Sequence, residues 1–265
     1  MSRLILRRGL VGRAGLGLRA AGDAYKAVPP PACKPPVRQA RPIVLPSMIG
    51  APVKEIRRRI QKVLVFFVVD DSGSLYGVWG DPGGVRYAAA LSLLGLMERS
   101  AGKKAGRAAV IHWGTTAPAE LALVPVEVKR GRRALRQALT IPPTLGGTNL
   151  AAALDRAHAM TPELLEAEQV VYYVLSDGIE EVTAAIHAAV GALPAGSGHM
   201  VLVDRSGGCD PAMEAAWQAV AFGSFTRLKT FDTREMSLQL AEIFASSMGL
   251  SMAEQPDPKS KEASK

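Results

Sequence analysis

The sequence predicts an α/β protein: a three-layer αβα sandwich whose central sheet of about six strands is mostly parallel, with one antiparallel edge strand. Three observations predict it. Apolar, β-branched runs at residues 63–69, 107–113, 121–128, 170–175, 200–204 and 225–231 alternate with helical patterns at about 85–100, 131–139, 149–160, 180–191, 212–222 and 233–248. That alternation is what parallel strands joined by crossover helices produce, with helices covering both sheet faces. Only Gly114-Thr-Thr-Ala-Pro-Ala-Glu120 separates the second run from the third, too few residues for a helical crossover, so these two should pair as an antiparallel hairpin at one edge. At 265 residues and 48% hydrophobic content the chain can bury a substantial core without cross-links.

In chain order, residues 1–59 read as a basic, proline-rich arm. Basic residues interrupt every apolar run of Met1–Arg19, which leaves no core of signal-peptide length. Val28-Pro-Pro-Pro-Ala-Cys-Lys-Pro-Pro-Val-Arg38 then favours an extended linker, because proline fixes φ and removes donors, and Arg41-Pro42 and Leu45-Pro46 continue it. Residues 60–250 form the predicted domain, and residues 251–265 a polar, proline-broken tail expected to be disordered. The net charge of +8 is unevenly spread: residues 1–60 carry +11 and residues 61–265 carry −3. A basic arm of this kind suits an acidic partner, an anionic surface or nucleic acid, or is simply a solvated tail. Cys33 and Cys209 are too few for a disulfide framework and lack zinc-site spacing. No stretch of roughly 18 consecutive apolar residues offers a membrane span. A cytoplasmic protein is the expectation.

The junction after the first predicted strand carries the most chemical information. Val63-Leu-Val-Phe-Phe-Val-Val69 empties onto Asp70-Asp71-Ser72-Gly73-Ser74, an acidic and hydroxyl-rich turn at a strand's carboxyl end, where open α/β sheets bind ligands. Leu145-Gly-Gly-Thr148 precedes a helix, with two glycines permitting close backbone approach and a threonine hydroxyl near the helix start. Val170-Val-Tyr-Tyr-Val-Leu175 ends in Ser176-Asp177-Gly178. Three turns thus offer Asp70, Ser72, Ser74, Thr148 and Asp177 to one end of the sheet, an oxygen set that hard divalent cations prefer. Taken singly, the serines could cap a turn and Asp177 could terminate a strand.

Together, Asp70-x-Ser72-x-Ser74, Thr148 and Asp177 resemble the metal-ion-dependent adhesion site of von Willebrand factor A domains, with all five positions present and in the family's order. The resemblance covers about residues 60–248 and implies a Rossmann-like sandwich. It also implies a bound Mg²⁺, with Mn²⁺ or Ca²⁺ as substitutes, and binding of an acidic side chain from a partner protein instead of catalysis. Intracellular relatives of this kind serve as subunits of larger assemblies, including AAA+ ATPase machines, and some ribonucleoproteins carry the domain. The pattern departs from the family at Leu75, where many members carry Met, and in Val78-Trp-Gly-Asp-Pro-Gly-Gly84, which looks like an inserted glycine-rich loop.

Other chemistry-bearing residues invite plainer readings. Asp71 and Asp81 are expected to be solvated loop acids, and His112, His158, His187 and His199 lack ligand spacing. Lys129-Arg-Gly-Arg-Arg-Ala-Leu-Arg136 reads as a solvated helix start or a phosphate site. Trp79 could anchor a partner or fold over the site. Two further functions stand beside the metal-dependent module: nucleic-acid association through the basic arm, and a phosphohydrolase with Asp70 as nucleophile. The last is disfavoured because the second aspartate such enzymes place two residues on is here Ser72.

Overall fold

The computed structural model describes residues 39–76, 80–102, 104–115, 120–140, 145–161, 169–203 and 211–254. A two-residue strand β1 (Met48–Ile49) and helix α1 (Val53–Ile60) lead into β2 (Val63–Asp70). Then come α2 (Val85–Ala101), β3 (Arg107–Trp113), β4 (Glu120–Pro125), α3 (Lys129–Ala138), α4 (Leu150–Ala159) and β5 (Gln169–Ser176). The chain continues through α5 (Ala184–Ala192), β6 (Gly198–Val203), α6 (Pro211–Gln218), β7 (Ser224–Leu228), α7 (Thr233–Ser247) and β8 (Ser251–Met252).

Six strands form one sheet in the order β4-β3-β2-β5-β6-β7, parallel throughout except for the antiparallel β3–β4 edge pair. This is the mostly parallel α/β sandwich expected from the alternation of strand and helix patterns. Every residue of β2 is buried, because the strand is central and covered on both faces. Val63, Val65, Phe67 and Val69 point into a layer built mainly by α1, α2 and α7, whereas Leu64, Phe66 and Val68 point into one built by α4, α5 and α6. Phe66 stacks on Tyr172 at 4.8 Å and Phe67 on Tyr173 at 5.7 Å, so aromatic pairs on both faces clamp β2 to β5.

The strand order reverses at β2. From there β3 and β4 extend the sheet one way, while β5, β6 and β7 extend it the other. The crevice at such a reversal opens outside the carboxyl ends of the two strands that flank it. Here those ends are Asp70 of β2 and Ser176 of β5, adjacent in register because Val69 pairs with Leu175.

Folded structure begins earlier than composition suggests. Residues 40–59, read as arm, include α1 and bury Leu45, Met48 and Ile56 in the core. The Ala40 amide donates to the Gly83 carbonyl at 2.8 Å and the Ile43 amide to Ser92 Oγ at 2.9 Å. Met48 also pairs with Met252, so β1 and β8 close a small second sheet that draws the first residues of the expected tail into the fold. Proline there restricts the chain without preventing its apolar neighbours from packing. Residues 1–38 and 255–265 lie outside the described residues, as do Trp79, Cys33 and Cys209.

Candidate functional site

Asp70 is the last residue of β2, and its carboxylate is fully buried. Its Oδ1 accepts the Ser72 amide at 2.9 Å, and its Oδ2 accepts the Ser176 hydroxyl at 2.6 Å. The first bond closes the turn that lifts Ser72 and Ser74 over the end of the strand. A single turn of 3₁₀ helix over Gly73–Tyr76 follows and sets the two hydroxyls side by side, Oγ to Oγ 3.0 Å.

Backbone bonds stitch the loop bearing Thr148 onto this turn. The Gly73 amide donates to the Gly146 carbonyl at 2.7 Å, the Leu145 amide to the Asp71 carbonyl at 3.0 Å, and the Gly147 amide to Thr115 Oγ1 at 2.7 Å. Gly146 has φ +86°, and a Cβ there would sit 2.9 Å from Thr115 Oγ1, which explains glycine at that position. Thr148 is half-buried just before α4, whose first turn is capped by Asn149. Asp177 follows Ser176 directly at the end of β5 and is half-buried. All five residues singled out from the sequence therefore lie at one end of the sheet around the β2–β5 crevice, Asp70 as the last residue of β2 and the other four on the loops beyond the strands.

Electrostatics there are unbalanced in one direction. Burial, and secondarily the negative charge of Asp177, push the Asp70 carboxyl up to about 6, against the lowering effect of its hydrogen bonds and of Arg86. Glu180, which sequence reasoning passed over, adds a third acid: its carboxylate accepts the Leu150 amide at 3.2 Å and so ties the Asp177 loop to the helix that follows Thr148. Burial pushes Glu180 up to about 7, with Asp70 again contributing repulsion. The only signal for it is its place three residues after Asp177.

Beneath the loops lies a buried polar layer, which corrects the reading of Asp71 and Asp81 as solvated acids. Asp71 is fully buried and Asp81 is 3% exposed. Asp71 accepts from the Tyr87 hydroxyl and lies 2.6 Å from His112 Nδ1, whose Nε2 is 2.6 Å from the Ala138 carbonyl oxygen. Asp81 caps α2 by accepting the Val85 amide at 2.7 Å and the Arg86 amide at 3.0 Å, and it pairs with the Arg86 guanidinium at 3.1 Å. Arg86 also donates to the backbone carbonyl of Asp70. Its positive charge thus supports the turn from below while leaving the Asp70 carboxylate oxygens to Ser72 and Ser176. An acid before a helix is a capping signal, and in Asp81-Pro-Gly-Gly84 it was obscured by the glycines.

The donor set suits a hard cation. Among the described residues no three His, Cys, Asp or Glu side chains gather as a metal cluster, so an ion here depends on hydroxyl oxygens. Magnesium–oxygen bonds of 2.0–2.1 Å at right angles place neighbouring oxygens about 2.9 Å apart, close to the 3.0 Å between Ser72 and Ser74. A divalent ion among Asp70, Ser72, Ser74, Thr148 and Asp177 would also offset the repulsion that raises Asp70.

No protein-family model matches the chain, and no curated protein sequence does. Solved structures do. The pilus adhesin SpaC from Lactobacillus rhamnosus GG aligns over 69% of this chain and 31% of its own length, with a TM-score of 0.56 at 13% identity. A von Willebrand factor type A protein from Catenulispora acidiphila aligns over 71% of this chain and 43% of its own, at 0.52 and 18%. Proximal thread matrix protein 1 of the mussel byssus, described with a zinc-occupied metal-ion-dependent adhesion motif, aligns over 74% and 48%, at 0.50 and 14%. The chain spans less than half the length of each of these three proteins. Its fold is that of the von Willebrand factor A domain.

Proposed function

We propose that this chain, a von Willebrand factor A fold, is a metal-dependent protein-interaction module. Mg²⁺, or Mn²⁺ or Ca²⁺ in its stead, is held by Asp70, Ser72, Ser74, Thr148 and Asp177, and an Asp or Glu carboxylate from a partner protein completes its coordination. The observation that carries this reading is the paired Ser72 and Ser74 hydroxyls, 3.0 Å apart, beside the buried Asp70 carboxylate. Hydroxyl ligands leave the ion with positive charge to spend on an incoming anion. The zinc-bearing motif of the mussel protein supports a divalent ion in a fold of this kind.

The same reading makes the chain a binding protein and not an enzyme, working in the cytoplasm as a scaffold or as a subunit of a larger assembly such as an AAA+ ATPase. Among the described residues no helix is long and apolar enough to cross a membrane. Affinity capture with wild type and Asp70→Ala, each in Mg²⁺ or chelator, tests the proposal. Partners lost both on chelation and on substitution are expected, and an unchanged set of partners would remove the ion from its central role.

A second reading rests on the +11 of residues 1–60. Nucleic-acid binding through that arm would weaken steeply with salt and ignore Mg²⁺. A phosphohydrolase is a weaker third reading, checked by phosphatase activity with Mg²⁺.

A further inference from the structure

Away from the metal site, a groove of about 460 Å³ runs between residues 42–44, the second half of α2 and α3. Its floor is apolar: Leu94 and Leu135 are buried there, and Ile43 and Leu91 are half-buried. Arg99, Arg132 and Arg136 line it together with one acid among the described residues, Glu98, and Val44 is a 77% exposed lip. A neighbouring concavity of about 640 Å³ on the same helix is lined by Lys129, Arg132, Arg133 and Arg136 and, among the described residues, by no acid.

Helix α3 carries five exposed cations in ten residues, Lys129, Arg130, Arg132, Arg133 and Arg136, and no acid. Among the described residues only Arg132 of these has an acidic partner, Glu98, at 3.4 Å. Residues 61–265 are net negative, so this density is local.

We infer that the groove is a second interaction surface, which docks an acidic amphipathic helix of a partner protein. An apolar stripe on such a helix would fill the floor, and flanking Asp or Glu would meet Arg99 and Arg136 and compete with Glu98 for Arg132. Charge argues against this chain's own tails as occupants, since residues 1–38 carry +7 and residues 255–265 carry +1. A nucleic-acid backbone would satisfy the arginines but leave the apolar floor unused, and among the described residues no aromatic side chain lines the groove for base stacking. The lining positions of α2, Leu91 to Arg99, lie six or more residues beyond its metal-site end. At 1.5 Å per residue that is roughly 10–20 Å, so docking here does not require the ion.

The test is fluorescence anisotropy with the full chain in chelator. The probe is a labelled peptide of about 15 residues with leucines at i, i+3 and i+7 spacing and glutamates between them. Saturable binding is expected. It should weaken at least about ten-fold for a peptide of scrambled order, and by a similar factor for the Arg132→Glu/Arg136→Glu chain. Val44→Asp, on an exposed lip where folding is not at stake, should weaken it as well. Absence of binding, equal binding of the scrambled peptide, or full affinity in both groove variants would overturn the proposal. So would a single-stranded DNA of similar length that binds more tightly and with the same dependence on Arg132 and Arg136.

Discussion

Replacing Arg86 by Met removes the one guanidinium that is buried, among the described residues, beneath the loops of the proposed metal site. The side chain is 1% exposed, 3.1 Å from the Asp81 carboxylate and 3.9 Å from that of Asp71, and it donates to the Asp70 carbonyl. Breaking a buried ion pair by deleting one partner leaves an uncompensated charge and is worth 3–5 kcal/mol. Asp81 keeps two backbone donors, and Asp71 keeps Tyr87 and His112. The loss should therefore fall near the low end, about 3 kcal/mol. Arg86 also lowers the Asp70 pKa, so its removal would raise that carboxyl further and weaken cation binding at neutral pH. Urea unfolding of wild type and Arg86→Met, each in chelator, measures the first effect, and calorimetric titration with Mg²⁺ the second. A stability change below about 1 kcal/mol, with Mg²⁺ affinity unaltered, would refute the idea that this cation supports the turn.

Two further outcomes follow from other positions. Gly178, next to Asp177, has φ +74°, and a Cβ there would be driven into Leu202; Gly178→Ala should destabilise the protein by about 1–2 kcal/mol, readable as a lower urea midpoint. Burial pushes the His199 imidazole down to about 4, so the native ring stays neutral where the unfolded chain takes up a proton. Stability is then complete above about pH 6.5 and falls as pH drops towards 4, by about 2 kcal/mol once allowance is made for the water that reaches part of the ring. A His199→Gln variant that keeps the same acid slope would refute this assignment.

Much of the sheet was legible because its strands are long, apolar and bounded by turn residues, and because only seven residues separate the two edge runs. Helix α1 was not, since Val53-Lys-Glu-Ile-Arg-Arg-Arg-Ile60 is dominated by charge and its buried face consists of Ile56 and Ile60 alone. The five oxygen-bearing side chains were readable as a motif, because Asp70, Ser72 and Ser74 follow one strand end and Thr148 and Asp177 stand in two later turns, in the order on which the family resemblance rests. What holds them was hidden. Arg86, Asp81 and Asp71 bear charges, and composition alone assigns charges to the surface. Only the packing of α2 against β2 shows that these charges neutralise one another inside.

The two adjacent aspartates sharpen that distinction. Successive residues leaving a strand point to opposite sides, so Asp70 turns to Ser72 and Ser176 in the crevice while Asp71 turns to Tyr87 and His112 beneath it. Identical side chains therefore carry opposite burdens, and amide substitution should separate them. Asp70→Asn removes a buried charge that Asp177 opposes, so the metal-free protein should be no less stable than wild type, whereas stabilisation by Mg²⁺ should disappear. For wild type that stabilisation is about 2.7 kcal/mol at a hundred times the dissociation constant. Asp71→Asn turns an acceptor into a donor facing Tyr87 or His112, which should destabilise by about 2–3 kcal/mol while Mg²⁺ still raises the melting temperature. Thermal melts of both variants with and without Mg²⁺ give four values. If Asp71→Asn abolished the Mg²⁺ response and Asp70→Asn preserved it, the division of labour between crevice and core would be reversed.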